Sequence, residues 1–412
     1  MMYDRQKQAR ENPNVSDHCR TEEDLSAFRA DFHNRAAEHY FVRKKNTEHL
    51  LRKPFTSPRE MAESLYRFSV LVAGMDVNAT DLIMDFGAGT CWVSLLLSRA
   101  GIHSVAVDVS ATALEIGRKI FESIPPDQRG VPPRFVVYDG HRLPFEDGYF
   151  DAILCLDAFH HVPNKQVVLS EMFRVLSPGG RVAFSEPGEG HSRTSESQRE
   201  ARIYSVLESD VLLEEVETWA RRAGFDRLTV WPLPHPGGGV EMAWNEAQRF
   251  LTGDDDAFPI GEFRHSARTA PFFFLQKGRR EPDSRHPKTL RAEIRLHRTE
   301  SVKVRAGELW ELPCTVMNVG DTRWLAGPLE KGGDVCLGAH LLDAAERVEE
   351  LDYGRARLPR DIPPGHNETL LLRLRAPERP GSYSVELDMV AERVTWFEDQ
   401  GSSTSRIALK VS

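Results

Sequence analysis

The stretch Leu82-Ile83-Met84-Asp85-Phe86-Gly87-Ala88-Gly89-Thr90 decides the fold. A short apolar run ends in an acid, then a glycine turn, then an amphipathic helix. In an open α/β sheet, ligands bind at the carboxyl ends of the strands, and glycines admit the backbone where a Cβ would collide. Ser104-Val105-Ala106-Val107-Asp108 reads as a second buried strand ending in an acid about 20 residues on, the placement that suits a ribose. Arg134-Phe135-Val136-Val137-Tyr138-Asp139-Gly140 gives a third strand with an acid at its tip, and Phe150 to Asp157 a fourth. A nicotinamide fingerprint needs a third glycine where this chain has Trp92, so a dehydrogenase is disfavoured.

Each acid also has a plainer reading. Asp85 can be a helix-capping acid, Asp108 an N-cap partner for the helix from Ala111, and Asp139 a turn former before Gly140. Three strands ending in acid, in order, favour a shared pocket.

On these motifs, residues 55 to 280 resemble the class I S-adenosylmethionine-dependent methyltransferases. The resemblance implies a Rossmann-like α/β fold, a seven-stranded sheet with helices on both faces, and S-adenosylmethionine as cofactor. It implies contacts to the amino acid end of the cofactor from Asp85, Phe86, Gly87, Ala88 and Gly89, and to the ribose from Asp108. It places Asp139, Gly140 and His141 at the adenine, and Leu156 and Asp157 at the tip of strand four. Leu176-Ser177-Pro178-Gly179-Gly180 matches the turn before strand five, Arg181 to Glu186, and Phe272 to Lys277 the closing antiparallel strand. Cys91 stands where many relatives have a further glycine.

Methyl transfer asks the protein chiefly to position its acceptor, and a hydroxyl acceptor gains from a base. Phe159-His160-His161 follows strand four, so His161, ahead of His160, is the candidate catalytic base, with Glu186 and His191 in reserve. No metal is expected there, because adjacent histidines point different ways and no third ligand has suitable spacing.

A chain of 412 residues is long for one core. The expected division is a partly helical segment over residues 1–56, packed over the pocket, a methyltransferase domain over 57–280, a polar linker over 281–290, and an all-β domain over 291–412. Ser57, Pro58 and Glu60 form an N-cap, a first-turn proline and a capping-box acid. A helical stretch is expected through Val206, Leu207, Val211, Leu212 and Val216. The insertion from Pro234 to Ala270, with Gly237-Gly238-Gly239 and Asp254-Asp255-Asp256, is a candidate lid. Arg43, Lys44, Lys45, Arg52 and Lys53 are a solvated face or a lure for an anionic substrate.

Beyond the linker, short alternating runs such as Ser301 to Val304, Thr369 to Leu374 and Tyr383 to Val390 give a β-sandwich pattern. Asn318-Val319-Gly320, Trp324, Leu358-Pro359, Pro364-Gly365, Pro380-Gly381-Ser382-Tyr383 and Trp396-Phe397 resemble the immunoglobulin-like modules of bacterial surface-polysaccharide proteins. Tyr383 is a candidate corner tyrosine. Trp324 and Trp396 read as core or rim packing, or, if exposed, as sugar platforms.

The net charge of −9 disfavours a nucleic-acid partner. Cys19, Cys91, Cys155, Cys314 and Cys336 are odd in number and scattered, which favours a reducing, cytoplasmic setting over disulfides. Neither a membrane span nor a signal-peptide core is expected, the stretch Met1 to Arg20 being polar. The expected activity is methylation of a sugar, glycan or other small hydroxyl compound, with the sandwich recruiting the acceptor or a protein partner. The alternative is an inactive scaffold or glycan-binding protein with a vestigial cofactor domain, for which Cys91 is the main argument.

Overall fold

The computed structural model describes residues 22–412 apart from 44–47, 235–239, 255, 257, 299 and 330. The readings placed on Met1 to Arg20, Cys19, Lys44, Lys45, Gly237 to Gly239 and Asp255 lie outside the described residues.

Helices α1 (Glu22–Arg43), α2 (Glu48–Arg52) and α3 (Pro58–Met75) come first. The start of α3 follows its sequence: Ser57 Oγ accepts from Glu60 N–H at 3.2 Å, and Pro58 occupies the first turn. Then follow β1 (Leu82–Phe86), α4 (Trp92–Arg99), β2 (His103–Asp108), α5 (Ala111–Ser123), β3 (Arg134–Val137), β4 (Phe150–Leu156), α6 (Lys165–Val175) and β5 (Leu176–Ser185). The motif expected as a turn, Leu176 to Gly180, is drawn into β5. The remaining elements of this half are α7 (Ser195–Tyr204), α8 (Leu213–Ala223), β6 (Arg227–Trp231), α9 (Trp244–Leu251), α10 (Ile260–Thr269) and β7 (Phe272–Gln276).

The seven strands form one sheet in the order β3-β2-β1-β4-β5-β7-β6, and β7 runs antiparallel to both neighbours. Strand alternation divides its apolar residues between two faces. Ile83, Ala152, Leu154, Ala183, Phe272 and Phe274 pack with α3 and α4, through Leu71, Met75, Val93 and Leu97. Met84, Ile153, Val182, Phe184, Phe273 and Leu275 pack with α6 and α8, through Leu169, Met172, Val216 and Ala220. A sheet covered on both sides explains why β1 is buried along its whole length.

The expected helix through Val206 to Val216 forms only from Leu213 onward. Ser205 takes a left-handed conformation that ends α7, and the next residues bond elsewhere, Ser209 N–H to the His160 carbonyl and Val211 N–H to that of Pro187. Tertiary pairing here overrides apolar spacing.

The second half contains β8 (Ala292–Leu296), β9 (Val302–Val304), β10 (Leu309–Asn318), β11 (Val335–Leu342), β12 (Val348–Arg357), β13 (Asn367–Arg375), β14 (Gly381–Ala391), β15 (Thr395–Trp396) and β16 (Ser405–Val411). A three-stranded sheet, β13-β10-β8, and a larger one, β12-β11-β14-β16-β9 with β15 beside β14, enclose a shared core around Leu312, Val316, Trp324, Leu337, Leu372 and Leu387. Trp324 is fully buried and packs edge-on to Phe397, so it is core rather than a sugar platform. Tyr383 Oη donates to the Arg379 carbonyl at 3.0 Å. Cys91, Cys155, Cys314 and Cys336 are free and buried.

Residues 281–290 are pinned, not a free tether. Ser284 is fully buried and donates to the Gly333 carbonyl at 2.6 Å. His286 Nε2 lies 2.5 Å from Asp81 Oδ1, and Asn78 Nδ2 donates to the Arg285 carbonyl. Arg280 reaches Asp81 and Asp151, and Lys331 of the β region also reaches Asp151. A polar segment thus finds partners on both halves. Asp81 and Asp151 stand at the starts of β1 and β4, so the β region docks on the amino edge of the parallel sheet.

Candidate functional site

The opposite, carboxyl edge of the sheet opens into a cavity of about 840 Å³. After β1, Gly87 and Gly89 take positive φ values of 70° and 51°, and the Val107 carbonyl on β2 receives Gly87 N–H at 2.8 Å. The turn is thereby fixed to the neighbouring strand with bare backbone facing the cavity. Asp108 ends β2 at the cavity wall, its carboxylate accepting Gly89 N–H and Ser110 N–H, each at 2.8 Å. Burial raises its pKa, and those two donors offset only part of the rise.

Of the residues expected at the site, Phe86, Gly87, Ala88, Gly89, Asp108, Gly140, Leu156, Asp157, His160 and His161 line this cavity. Asp85, Asp139 and His141 do not. Asp85 is buried and accepts Ser94 N–H at 3.0 Å and Ser94 Oγ–H at 2.7 Å, so its carboxyl anchors the first turn of α4. Asp139 closes a turn, accepting the N–H groups of His141 and Arg142 at 2.8 Å, and His141 pairs with Asp31 of α1 at 3.0 Å. The plain readings of Asp85 and Asp139 thus describe their contacts, whereas Asp108 both bonds the turn and faces the cavity.

Cys91 is also clear of the cavity. It holds the left-handed conformation, φ 63°, that a glycine would take there. Its sulfur packs against α5 where Gly117 leaves room; a Cβ at 117 would lie 2.5 Å from that sulfur.

The near wall comes from α1. His33, Asn34, Ala37, Tyr40 and Phe41 line the cavity, Glu38 accepts from Ser110 Oγ at 2.6 Å and Thr112 N–H at 3.2 Å, and Asn34 donates to the Asp139 carbonyl at 3.0 Å. By contrast, no described residue of 234–270 lines the cavity, so the insertion is not its lid in this structure.

The far end is polar. Arg67 of α3 donates to Ser185 Oγ at 2.8 Å and the Ser185 carbonyl at 2.7 Å, and lies 3.4 Å from Asp157. His160 Nδ1 lies 2.8 Å from Glu186 Oε2, and the N–H groups of Ala158 and His160 hold the same buried carboxylate. Burial pulls the His160 pKa down, but the bond to Glu186 more than restores it, for a net rise. His161 Nδ1 donates to the Leu207 carbonyl at 2.6 Å, and burial and its neighbour His160 hold its pKa below the ordinary imidazole value. Glu208, from the loop after α7, accepts from His191 Nε2 at 2.8 Å. His160, His161 and Glu208 each offer a ligand atom within 4.8 Å of the other two. Glu208 is therefore the third group that sequence spacing did not offer.

Basic residues do not dominate the site: Lys53, Arg59 and Arg67 are outnumbered by Glu60, Glu63, Asp108, Asp157, Glu196, Glu200 and Glu208. Of the basic run that could lure an anionic substrate, Lys53 lines the cavity, Arg43 and Arg52 do not, and Lys44 and Lys45 lie outside the described residues. Arg67, Glu38 and Glu208 carry no motif of their own, and only the folded chain brings them to the strand tips.

The family model described as "Methyltransferase domain" matches residues 84–184. A demethylmenaquinone methyltransferase of Streptomyces griseus subsp. griseus is 33% identical over 201 residues, covering 46% of this chain and 79% of that relative. The methyltransferase GfsG of Streptomyces halstedii is 33% identical over 129 residues, covering 31% of this chain and 42% of GfsG, so the chain spans under half of that protein. Among solved structures, a geranyl diphosphate methyltransferase in complex with GPP and sinefungin is 15% identical, with a TM-score of 0.43 over 60% of this chain and 99% of that one. No described helix is long and apolar enough to cross a membrane.

Proposed function

The chain belongs to the S-adenosylmethionine-dependent methyltransferases, and from that premise we propose that it methylates a hydroxyl of a sugar, glycan or other small polar acceptor at the far end of the cavity. The carrying observation is one continuous cavity that runs from the Gly87–Gly89 turn and Asp108 to the imidazole–carboxylate group of His160, His161, Glu186 and Glu208. Its residues fit the cofactor: the turn offers bare backbone, and Asp108 a carboxylate suited to ribose hydroxyls. Bound there, S-adenosylmethionine supplies an electrophilic methyl group.

The protein's part is to align and deprotonate the acceptor. Arg67 and Asp157 would orient it, and the His160–His161 group would take the proton from its oxygen as the methyl group is transferred. Of the two imidazoles, His160 has the better-held ring, because Glu186 fixes it from behind. This reverses the order expected from the sequence. The Streptomyces griseus relative is named for a quinone substrate; here Tyr40, Phe41, Leu50, Val206 and Leu207 give the cavity apolar wall, and the reading of a polar acceptor is supported by Arg67, Glu63, Glu196, Glu200 and His191, whose polar groups need partners that a prenyl chain lacks. Because Cys91 points away from the cavity, the loop gives no ground for the inactive-scaffold alternative.

The β region is, in this proposal, an immunoglobulin-like module, supported by two facing sheets and the backbone-bonding Tyr383. Docked at the amino edge, it serves a partner or an extended acceptor rather than the walls of the cavity.

Mass spectrometry of acceptor pools incubated with the cofactor tests the proposal. Methylated hydroxyl sugars or glycans are expected with the wild type and, at limiting cofactor, much less product with Asp108→Ala. Transfer confined to prenylated quinols would overturn the acceptor class.

A further inference from the structure

We propose that His160, His161 and Glu208 form a site for a divalent transition-metal cation of the zinc class at the acceptor end of the cavity. The inference rests on the reading that the acceptor docks there. Two imidazoles and a carboxylate are the donor set of a catalytic zinc site, which takes three protein ligands and leaves one position open. The three groups lie within 4.8 Å of one another, and closing to roughly 3.4 Å would give bonds of about 2.1 Å, within reach of side-chain rotation at Glu208. All three residues line the cavity, so a fourth position would be open to an acceptor there. Imidazole nitrogen favours zinc, cobalt, nickel or iron over magnesium and calcium, which prefer oxygen shells.

The surroundings are already those of a ligand set. Metal-bound histidines usually donate their other nitrogen to a carboxylate or a backbone carbonyl, which fixes the ring. His160 Nδ1 is turned to Glu186, a fully enclosed carboxylate, which leaves Nε2 for a metal; His161 Nδ1 bonds the Leu207 carbonyl and also lies 3.6 Å from Glu208 Oε1, so this ring would turn to present Nε2. His160 is about 5% exposed, and its Nε2, 3.8 Å from Glu208 Oε2, has no hydrogen bond among the described residues. Glu208 is itself only 9% exposed and is held by His191 from outside the triad. With the imidazoles neutral, as metal ligation requires, the two enclosed carboxylates, Glu186 and Glu208, carry a negative charge that a cation would offset. A cation here would lower the pKa of a bound hydroxyl and take over the activation otherwise left to the imidazoles.

The test uses the full chain after chelator treatment, titrated with zinc by calorimetry and with cobalt(II) by visible absorption. One equivalent is expected, with cobalt bands typical of nitrogen and oxygen ligands. Glu208→Gln and His161→Asn should each weaken zinc binding by about 100-fold, and Glu186→Gln by about 10-fold through the outer bond. S-adenosylmethionine binding, measured in parallel, reports the integrity of the fold; should Glu208→Gln lose it, His161→Asn at the more open ring carries the comparison. No saturable zinc binding, or binding unchanged by these substitutions, overturns the site. If the chelated enzyme still methylates hydroxyl acceptors, only the metal inference falls; if no hydroxyl is methylated with or without zinc, the acceptor reading falls with it.

Discussion

A carboxyl shut away from water, Asp85, serves helix α4 instead of the cavity. Burial raises its pKa from 3.8 to about 7 against the opposing bonds from Ser94. The unfolded chain therefore releases this proton near 3.8 while the folded chain keeps it to about 7, so its contribution to stability is full at low pH and is lost as pH rises through that interval. In the protein without cofactor, the thermal midpoint of wild type relative to Asp85→Asn should fall between pH 4.5 and 7.5, and a difference independent of pH would refute the account. The neighbouring Cys91 makes its own demand on space. Gly117→Ala should destabilise by roughly 1–3 kcal/mol through the clash with the sulfur and Cβ of Cys91, while Cys91→Gly in the same background, which removes both atoms at a left-handed position, restores part of the loss, measurable by denaturant titration. At the cavity, Asp108→Ala should weaken S-adenosylmethionine binding at least about 10-fold by calorimetry, the scale of one charge-assisted hydrogen bond. The acids at the strand tips were legible because each closes an apolar run. What the sequence withheld was direction: whether a carboxylate turns toward the cavity or back to a helix depends on Ser94 and on the turn at 140–142, which leave no trace in spacing.

At the scale of elements, α1 closes the cavity over the strand tips and holds α5 through Glu38. Removing that carboxylate leaves Ser110 and Thr112 without their partner on the helix. Glu38→Ala should raise hydrogen–deuterium exchange across residues 30–43 and speed cofactor release, and unchanged exchange there would show that α1 is held by packing alone. Capped elements were readable: Ser57 and Pro58 mark the start of α3 because the serine hydroxyl accepts the Glu60 N–H and the proline carries no donor. The loop through Glu208 was not, since Val206 and Leu207 mimic a helical face while the bonds that shape it come from His160 and Pro187, far away in sequence. Strand β11 escaped for a similar reason: it is buried along both faces and so lacks the alternation that exposes a strand.

For the whole molecule, the two halves meet through a cluster of charged and polar side chains, Asp81, Asp151, Arg280, His286 and Lys331, placed where the polar run 281–290 suggested a loose tether. Nothing in a stretch of arginine, proline and histidine tells which carboxylates will receive it. His286→Ala should loosen the junction, so that scanning calorimetry separates two unfolding transitions, while cofactor affinity stays within about 2-fold because the cavity opens at the other end of the strands. That opposition of ends limits what the β region can accomplish. Five to seven residues of strand amount to roughly 17–24 Å, so a ligand gripped below and altered above must be long enough to bridge that span around the rim. Monosaccharides are too short to occupy both places at once and should turn over equally well with or without residues 291–412. Only polymers, or cargo riding on a carrier, would feel the deletion.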